Sequence, residues 1–192
     1  LESGLVSKKN NTHIMIKNIT DIIFGGLTFW IFGYSIIFGK NSNGFGSYQN
    51  FFNEEDDNFG WLFANFFFQL TFSTTATTIV SGCLAERTKF LSYLFFSTFN
   101  TFIYVFPAHW IWNDKGWLKK IGVIDFAGAG PVHLMGGLTG LVGTYLLKPR
   151  LKINNPSCAV NSLLGLFMLW WGWLGFNCGS TLGITEFKWL YA

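Results

Sequence analysis

Charged side chains are scarce in this sequence, and their scarcity excludes most soluble folds. Asp, Glu, Lys and Arg make up 12% of the 192 residues, whereas a soluble domain contains about 25%. A soluble helical bundle would need polar helix faces. Here whole segments contain no charged residue at all, and each reaches the roughly 18–20 residues that a helix needs to cross a bilayer. These segments are 22–39, 58–85, 90–113, 126–147 and 153–185.

Cysteine and clustered positive charge are also in short supply. Cys83, Cys158 and Cys178 lie far apart and have no metal-type spacing. The formal net charge is only +3, and few basic residues are clustered, which argues against binding to nucleic acid. We therefore expect free thiols, no metal, no cofactor and no nucleic-acid partner.

The charge-free segments predict an all-α, polytopic membrane helix bundle. Basic residues concentrate on alternate loops, and the positive-inside rule puts the N-terminal segment in the cytosol. The sequence starts at Leu1 without an initiator methionine, so we expect a piece of a longer protein. Within one membrane domain, 1–192, the predicted helices are 14–39, 59–84, 90–112, 125–147 and 160–182.

One histidine is the most informative residue of the chain. His133 lies inside a charge-free stretch, and an ionisable side chain at membrane depth costs on the order of 2.5–3.5 kcal/mol when charged. Its neighbours on the same helix face are glycines, and a stripe of small residues lets another helix approach closely. We interpret this histidine as part of a conduction path. The glycines are Gly136, Gly137, Gly140 and Gly143.

The predicted helix 125–147 opens with Asp125. An aspartate before an apolar helix is a preferred N-cap. A carboxylate at the head of this helix would also favour nearby cations and could orient polar groups in the path. The two roles are compatible, and the sequence leaves both open.

Aromatic and polar residues share faces on the other predicted helices. Phe68, Gln69 and Phe72 lie together on 59–84, and Gln69 needs hydrogen-bond partners at membrane depth. Trp112 lies at the outer interface, where it could serve as a membrane anchor or as a cation–π platform. Neither alternative is excluded by the sequence.

The last predicted helix carries an aromatic stripe that continues into polar residues. Trp173, Phe176, Asn177 and Ser180 follow at helical spacing. Such a stripe is usually lipid-facing or packed in a core. The polar continuation favours the wall of a pore or vestibule instead.

These residues belong to motifs that together resemble the ammonium transporter family (Amt/Mep/Rh), with greater similarity to the eukaryotic Amt branch. The motifs occur in the order and spacing of the family across essentially the whole chain. They are GLVSKKN (4–10), GYSIIFG (33–39), AERTKF (85–90), PAHWIW (107–112), DFAGAGPVHLMGGLTGLVGTYLL (125–147) and GWLGFNCGS (172–180). The resemblance implies a homotrimer whose subunits each contain their own pore and about eleven helices in two inverted halves.

The resemblance also assigns an outer site. Phe72, Trp112 and Ser180 would recruit ammonium, with Trp112 supplying a cation–π face. The Ser180 hydroxyl would accept a hydrogen bond from an ammonium N–H. Phe72 and Phe176 would stack as a gate beneath this site.

The remaining assignments concern the path below the gate. Phe68 and Gln69 match residues packed near the gate, and Trp173 matches a pore-wall tryptophan. Asp125 matches a buried aspartate that shapes the outer site and is implicated in deprotonation. His133 matches the first of two pore histidines, and the resemblance puts the second one beyond the end of this chain.

The resemblance implies a multi-pass protein of the cell membrane that transports ammonium or ammonia and is not an enzyme. A hydrophobic pore passes neutral ammonia and excludes cations through their desolvation cost. Electrogenic transport and a neutral, Rh-like ammonia channel are both open. Two other classes compete with transport: an ammonium sensor with little flux, and a haem protein or enzyme using His109 and His133.

Overall fold

The structure, a computed structural model, describes residues 1–39, 59–150 and 158–192. These residues are helical and include no strand, which confirms the predicted all-α class. Within the same ranges, four short helical turns accompany the long helices: Glu2–Leu5, Lys8–Asn10, Trp117–Lys120 and Lys188–Leu190. The long helices are α1 from Asn11 to Phe38, α2 Phe59–Leu84, α3 Phe90–Trp112, α4 from Ala129 to Leu147, and α5 Ala159–Gly179.

Two of these helices contain wider, π-helical turns. Helix α1 alternates between α-helix and π-helix, with π segments at Asp21–Gly25 and Phe29–Gly33. Helix α4 begins with the π segment Ala129–Leu134 and continues as α-helix over Met135–Leu147. Single π turns inside α-helices occur frequently at functional sites, so these segments mark places where the helix geometry departs from a plain repeat.

Three helical stretches in the described part of the chain are long and apolar enough to cross a membrane. They are Lys8–Phe38, Phe90–Lys120 and Ala159–Gly179. The other two long helices, α2 and α4, are not among these stretches; α2 is rich in threonine and serine, and α4 is rich in glycine. That α2 and α4 also cross the membrane stays a prediction.

The chain divides into two compact units. The larger unit is Ile16–Pro149 and holds most of α1 together with α2, α3 and α4. Part of its core is a cluster of Val80, Leu84 and Tyr93 at the hairpin between α2 and α3. Burial of such side chains removes apolar surface from solvent and fixes the antiparallel pairing of these two helices.

The smaller unit comprises Leu1–Met15 and Arg150–Ala192. Its first helical turn, Glu2–Leu5, lies against the start of α5. The Gly4 carbonyl accepts a hydrogen bond from the Cys158 N–H at 3.3 Å, and a Cβ atom at Gly4 would lie 2.6 Å from the Cys158 carbonyl oxygen. Glycine is therefore required at this contact, whereas no residue of α5 itself is buried.

Candidate functional site

Three aromatic rings form a chain of edge-to-face contacts in the larger unit. Phe68 and Phe72 are one turn apart on α2, with ring centroids 4.8 Å apart and an interplanar angle of 69°. Phe72 contacts Trp112, the last residue of α3, at 5.4 Å and 82°. Edge-to-face pairs of this kind are electrostatically favourable. The structure therefore brings together three of the residues that the sequence predicted for the outer site and gate.

Two contacts fix the Trp112 side chain: its ring packs on Phe72, and its indole nitrogen donates a hydrogen bond. Its Nε1–H donates to the backbone carbonyl of Asp125 at 2.8 Å, and the ring is half-buried. Phe72, in contrast, has no exposed surface. The Trp112 side chain is therefore fixed in orientation while part of the residue stays accessible.

The Asp125 carboxylate binds backbone N–H groups at the start of α4. Its Oδ1 accepts from Gly128 at 2.7 Å and from Ala129 at 2.9 Å, and its Oδ2 accepts from Gly130 at 2.7 Å. A carboxylate is favoured here because the first N–H groups of a helix have no intrahelical partner. Both carboxylate oxygens are therefore committed to the backbone.

The sequence-based start of this helix needs correction. We predicted residues 125–147 as helical, but the helix begins at Ala129 and its N-cap position is Gly128. Gly128 adopts φ = 79°, a left-handed conformation that side chains with a Cβ disfavour. Asp125 thus satisfies the helix start from a preceding turn, four residues before the first helical residue.

Gly128 also lies against the aromatic cluster. A Cβ atom at this position would lie 3.2 Å from Cδ1 of Phe72 and 2.8 Å from Cγ2 of Val132. Both Phe72 and Val132 are fully buried. The absence of a side chain at residue 128 therefore lets the Asp125 turn pack directly on the Phe72 ring.

His133 lies in the π-helical first part of α4 and is half-buried, with its Nε2 atom inaccessible to solvent. The predicted close helix approach occurs along α4. A Cβ at Gly136 would lie 3.0 Å from the carbonyl oxygen of Ala76 on α2. A Cβ at Gly140 would lie 2.7 Å from Sγ of Cys83.

Gly143 extends this contact, since a Cβ there would lie 2.7 Å from Cδ2 of Leu84. Gly137 does not take part, because no heavy atom of the described residues lies within 4 Å of its Cβ position. The contact face of α4 therefore comprises residues three, seven and ten positions after His133. This spacing puts the histidine and the contact glycines on the same side of the helix.

The C-terminal end of α4 is held by a residue for which the sequence motifs predicted no role. Arg87, in the turn after α2, donates to the Lys148 carbonyl at 2.9 Å and to Oγ1 of Thr144 at 3.4 Å. It also donates to the Cys83 carbonyl at the end of α2. A cation at these carbonyls is favoured by the helix dipoles. The sequence feature that could have indicated this role is the position of Arg87 in the AERTKF motif, between two predicted helices.

The smaller unit carries the other predicted site residues. The Trp173 and Phe176 rings have centroids 6.2 Å apart. The Ser180 hydroxyl donates to the Phe176 carbonyl at 2.7 Å and is buried. Because that bond uses the hydroxyl proton, the oxygen lone pairs remain able to accept a further hydrogen bond.

The predicted site residues thus belong to the two units of the chain. In the larger unit, Phe68, Phe72, Trp112 and Asp125 are linked by direct contacts. Gln69 is buried on α2 beside them. Among residues 1–39, 59–150 and 158–192, no group of three or more His, Cys, Asp and Glu side chains could hold a metal ion.

Comparison with known proteins identifies the family. The model of the Ammonium Transporter Family matches residues 1–192. This chain therefore belongs to the ammonium transporter family, and its helical, membrane-type architecture is that of a partial family fold.

Individual relatives agree with this assignment. Putative ammonium transporter 3 of Caenorhabditis elegans is 42% identical over 98% of this chain and 30% of its own length. Ammonium transporter 1 member 1 of Arabidopsis thaliana is 39% identical over 93% of this chain and 40% of its own length. The chain thus spans less than half the length of these relatives.

Solved structures show the same fold. The structure of a Sensor Amt Protein superimposes with a TM-score of 0.86 at 33% identity, covering 98% of this chain and 51% of that protein. Mep2 of Saccharomyces cerevisiae superimposes with a TM-score of 0.72 at 29% identity, covering 98% of this chain and 45% of that protein. The helix arrangement described above is therefore shared with Amt and Mep proteins.

Proposed function

We propose that the full-length protein transports ammonium across the cell membrane by recruiting the cation at an aromatic site and passing neutral ammonia through a hydrophobic pore. The observation that carries this proposal is the Phe68–Phe72–Trp112 cluster, which is tied through Asp125 to the start of the helix that bears His133. Aromatic rings attract a cation without offering it a charged partner. Such a site concentrates ammonium while leaving it free to lose a proton.

Recruitment would use an aromatic ring and a hydroxyl group. The half-buried Trp112 ring supplies the cation–π face, and the lone pairs of Ser180 accept an ammonium N–H. Phe72 and Phe176 would then form the gate, with Gln69 and Trp173 lining the route. Ammonium can lose a proton to become NH3 and H⁺, whereas potassium cannot, and the apolar path excludes the metal cation through its desolvation cost.

We assign Asp125 a positioning role. Its two oxygens accept three backbone N–H bonds and so hold the start of α4. It would therefore fix Trp112 and the start of α4 while contributing negative charge near the recruited cation. His133 would offer its imidazole to ammonia further along α4.

Uptake of labelled methylammonium by the full-length protein tests this proposal. We expect His133→Ala to abolish most uptake without loss of protein at the cell surface. His13→Ala is the matched control, because His13 is exposed and outside the proposed path. Normal uptake by the His133→Ala protein would remove this histidine from the mechanism.

The recruitment step has its own test. Trp112→Leu should raise the ammonium concentration for half-maximal uptake by about tenfold or more, given a cation–π contribution of about 2 kcal/mol in a desolvated site. Trp117→Leu is the control, because Trp117 is exposed and packs only near Trp110 among the described rings. Equal half-saturation in both variants would exclude Trp112 from recruitment.

A sensor is the second candidate, because one of the similar solved structures is that of a Sensor Amt Protein. Current recordings in ammonium separate the possibilities. A current that accompanies uptake indicates electrogenic transport, uptake without current indicates a neutral ammonia channel, and binding with little of either indicates a sensor. Native mass spectrometry of the full-length protein tests the proposed homotrimer.

A further inference from the structure

Buried polar side chains face one another between α2 and α3, and on α2 they begin with Ser73, directly after Phe72. Ser73 and Thr77 on α2 and Ser97, Asn100 and Tyr104 on α3 all have no exposed surface. On each helix they recur at three- or four-residue spacing, so each set forms one face. The Asn100 side-chain N–H donates to Oγ1 of Thr77 at 3.0 Å, which joins the two faces.

We call this polar interface between α2 and α3 the seam. Most of its side-chain oxygens have no hydrogen-bond partner in the part of the chain that the structure describes. These atoms are Oγ of Ser73, Oγ of Ser97, Oδ1 of Asn100 and the hydroxyl of Tyr104. A buried polar atom left unpaired is costly, and native interiors satisfy almost all of them through protein or ordered water. Several such atoms along one interface indicate a shared ligand that donates and accepts hydrogen bonds.

The helix register brings these atoms to neighbouring levels. The two helices run antiparallel, and the Asn100–Thr77 bond fixes their register. Ser73 on α2 and Tyr104 on α3 each lie four residues from this bond and are level with each other. Their shared level is about 6 Å from the bond along the helix axis. A water molecule makes about three hydrogen bonds to buried polar groups, so it can bridge oxygens across such an interface.

Helix α1 closes the seam on its third side. A Cβ atom at Gly25 would lie 3.6 Å from Oγ1 of Thr101 and 3.8 Å from Oγ of Ser97. Gly25 ends the π segment Asp21–Gly25, so the backbone of α1 approaches α3 where its turn is widened. The seam is therefore enclosed by three helices of the larger unit.

A buried carboxylate lies at the end of the seam that is nearer the turn between α2 and α3. Asp21 has no exposed surface, and its Oδ2 accepts hydrogen bonds from the Tyr93 hydroxyl at 2.8 Å and the Thr78 hydroxyl at 3.4 Å. Lys17 lies one turn away, donates to the Thr88 carbonyl at 3.0 Å, and has its Nζ 5.0 Å from the Tyr93 ring centroid. Ionisable groups within membrane helices are rare and commonly mark functional paths.

We propose that the interface of α1, α2 and α3 is a hydrated internal site, in which ordered water molecules bind Ser73, Ser97, Asn100 and Tyr104 and extend towards Asp21. The ligand is water because the open groups are neutral hydroxyl and amide oxygens, and because water can donate a hydrogen bond to each of them and accept one from each hydroxyl. The site adjoins Phe72 along α2, and its hydration does not rest on the proposed transport function.

Hydroxyl-radical footprinting of the unmodified full-length protein tests this site directly. Radicals generated from bound water oxidise adjacent side chains, and mass spectrometry locates the products. We expect oxidation of Tyr104 despite its complete burial. Phe29 is the internal control, since it is equally buried but contacts aromatic rings. Oxidation of Tyr104 no greater than that of Phe29 would overturn the proposal.

Thermal unfolding of Tyr104→Phe gives a second, independent readout. Loss of a water-bound hydroxyl should lower the melting temperature by about 2–4 °C, whereas loss of a dry, unpaired hydroxyl should raise it. Tyr145→Phe, in which an exposed hydroxyl is removed, should leave the melting temperature unchanged. A rise for Tyr104→Phe would show that the seam is dry and would contradict the inference.

Discussion

Helices α4 and α5 both carry glycines at helical spacing, yet the contacts of these glycines differ. The Cβ positions of Gly136 and Gly140 on α4 lie within 3.0 Å of atoms of α2. The Cβ positions of Gly172 and Gly175 on α5 have no heavy atom of the described residues within 4 Å. A glycine stripe therefore indicates that close approach is possible, and only the partner helix decides whether it occurs.

The contacts of α4 also differ among themselves. Gly136 faces the backbone carbonyl of Ala76, which cannot move without shifting α2, whereas Gly140 and Gly143 face the ends of side chains. A new side chain at residue 136 must therefore separate the two helices. This difference ranks the expected effects of substitution.

The largest effect is expected for Gly136→Leu. The added side chain would clash with the Ala76 carbonyl and break the α2–α4 packing, so little folded protein should remain. Fluorescence-detected size-exclusion chromatography of the full-length protein measures this loss. Gly137→Leu, one residue away on the open side of α4, is the control and should retain a normal peak. Equal losses of folded protein in both variants would show that position 136 is no more sensitive to a new side chain than position 137.

Asp125→Ala should have the next largest effect, about 2 kcal/mol of stability, because three N–H groups at the start of α4 lose their acceptor. Thermal unfolding measures it, and Asp125→Asn should recover part of the loss through its remaining amide oxygen. The start of α5 provides the contrast, since Cys158 at its N-cap makes no side-chain cap bond. Cys158→Ala should therefore be nearly neutral, and a matching loss there would argue against capping as the cause.

Arg87→Ala should cost about 1 kcal/mol, because the carbonyls at the ends of α2 and α4 lose a charged donor. Arg87→Lys should restore part of the stability but not the bonds to several acceptors at once. The melting temperatures of the two variants measure this difference. Indistinguishable values for Arg87→Ala and the unmodified protein would show that the C-terminal end of α4 needs no such anchor.

The smallest effect on stability is expected in α5, for Ser180→Ala. Its hydroxyl bonds only to a carbonyl of its own helix, so the loss should stay below about 0.5 kcal/mol. Ser162→Ala removes the same kind of bond at the other end of α5 and is the matched control. If Ser180 recruits ammonium, only Ser180→Ala should raise the concentration for half-maximal uptake, although both variants unfold alike.

Hydrophobic runs predicted the helical class well, because each run is long and uncharged. The structure has α2 at Phe59–Leu84 and α3 at Phe90–Trp112, the same bounds as the predicted helices. The start of α4 was wrong by four residues, because Asp125 caps from a preceding turn that depends on the positive φ of Gly128. No pattern of hydrophobic residues reveals such a turn.

Sequence patterns also could not predict some contacts of the candidate site. The resemblance supplied Phe72 and Trp112, but their edge-to-face contact depends on the crossing of α2 and α3. The buried Asp21 was not predicted as a functional residue, although it lies inside the predicted helix 14–39, because the search for polar groups at membrane depth used the charge-free run that starts at residue 22. Its pairing with Tyr93 joins residues 72 positions apart and required the fold.

Residue 128 has a consequence for how this protein can vary in evolution. Every amino acid other than glycine adds a Cβ atom, which here would meet both an unfavourable backbone conformation and the Phe72 ring. A missense change at this codon would therefore disturb both the start of α4 and the packing of the aromatic cluster. We expect natural variation at Gly128 only alongside smaller side chains at positions 72 and 132, and the aromatic contact between Phe72 and Trp112 would oppose the change at position 72.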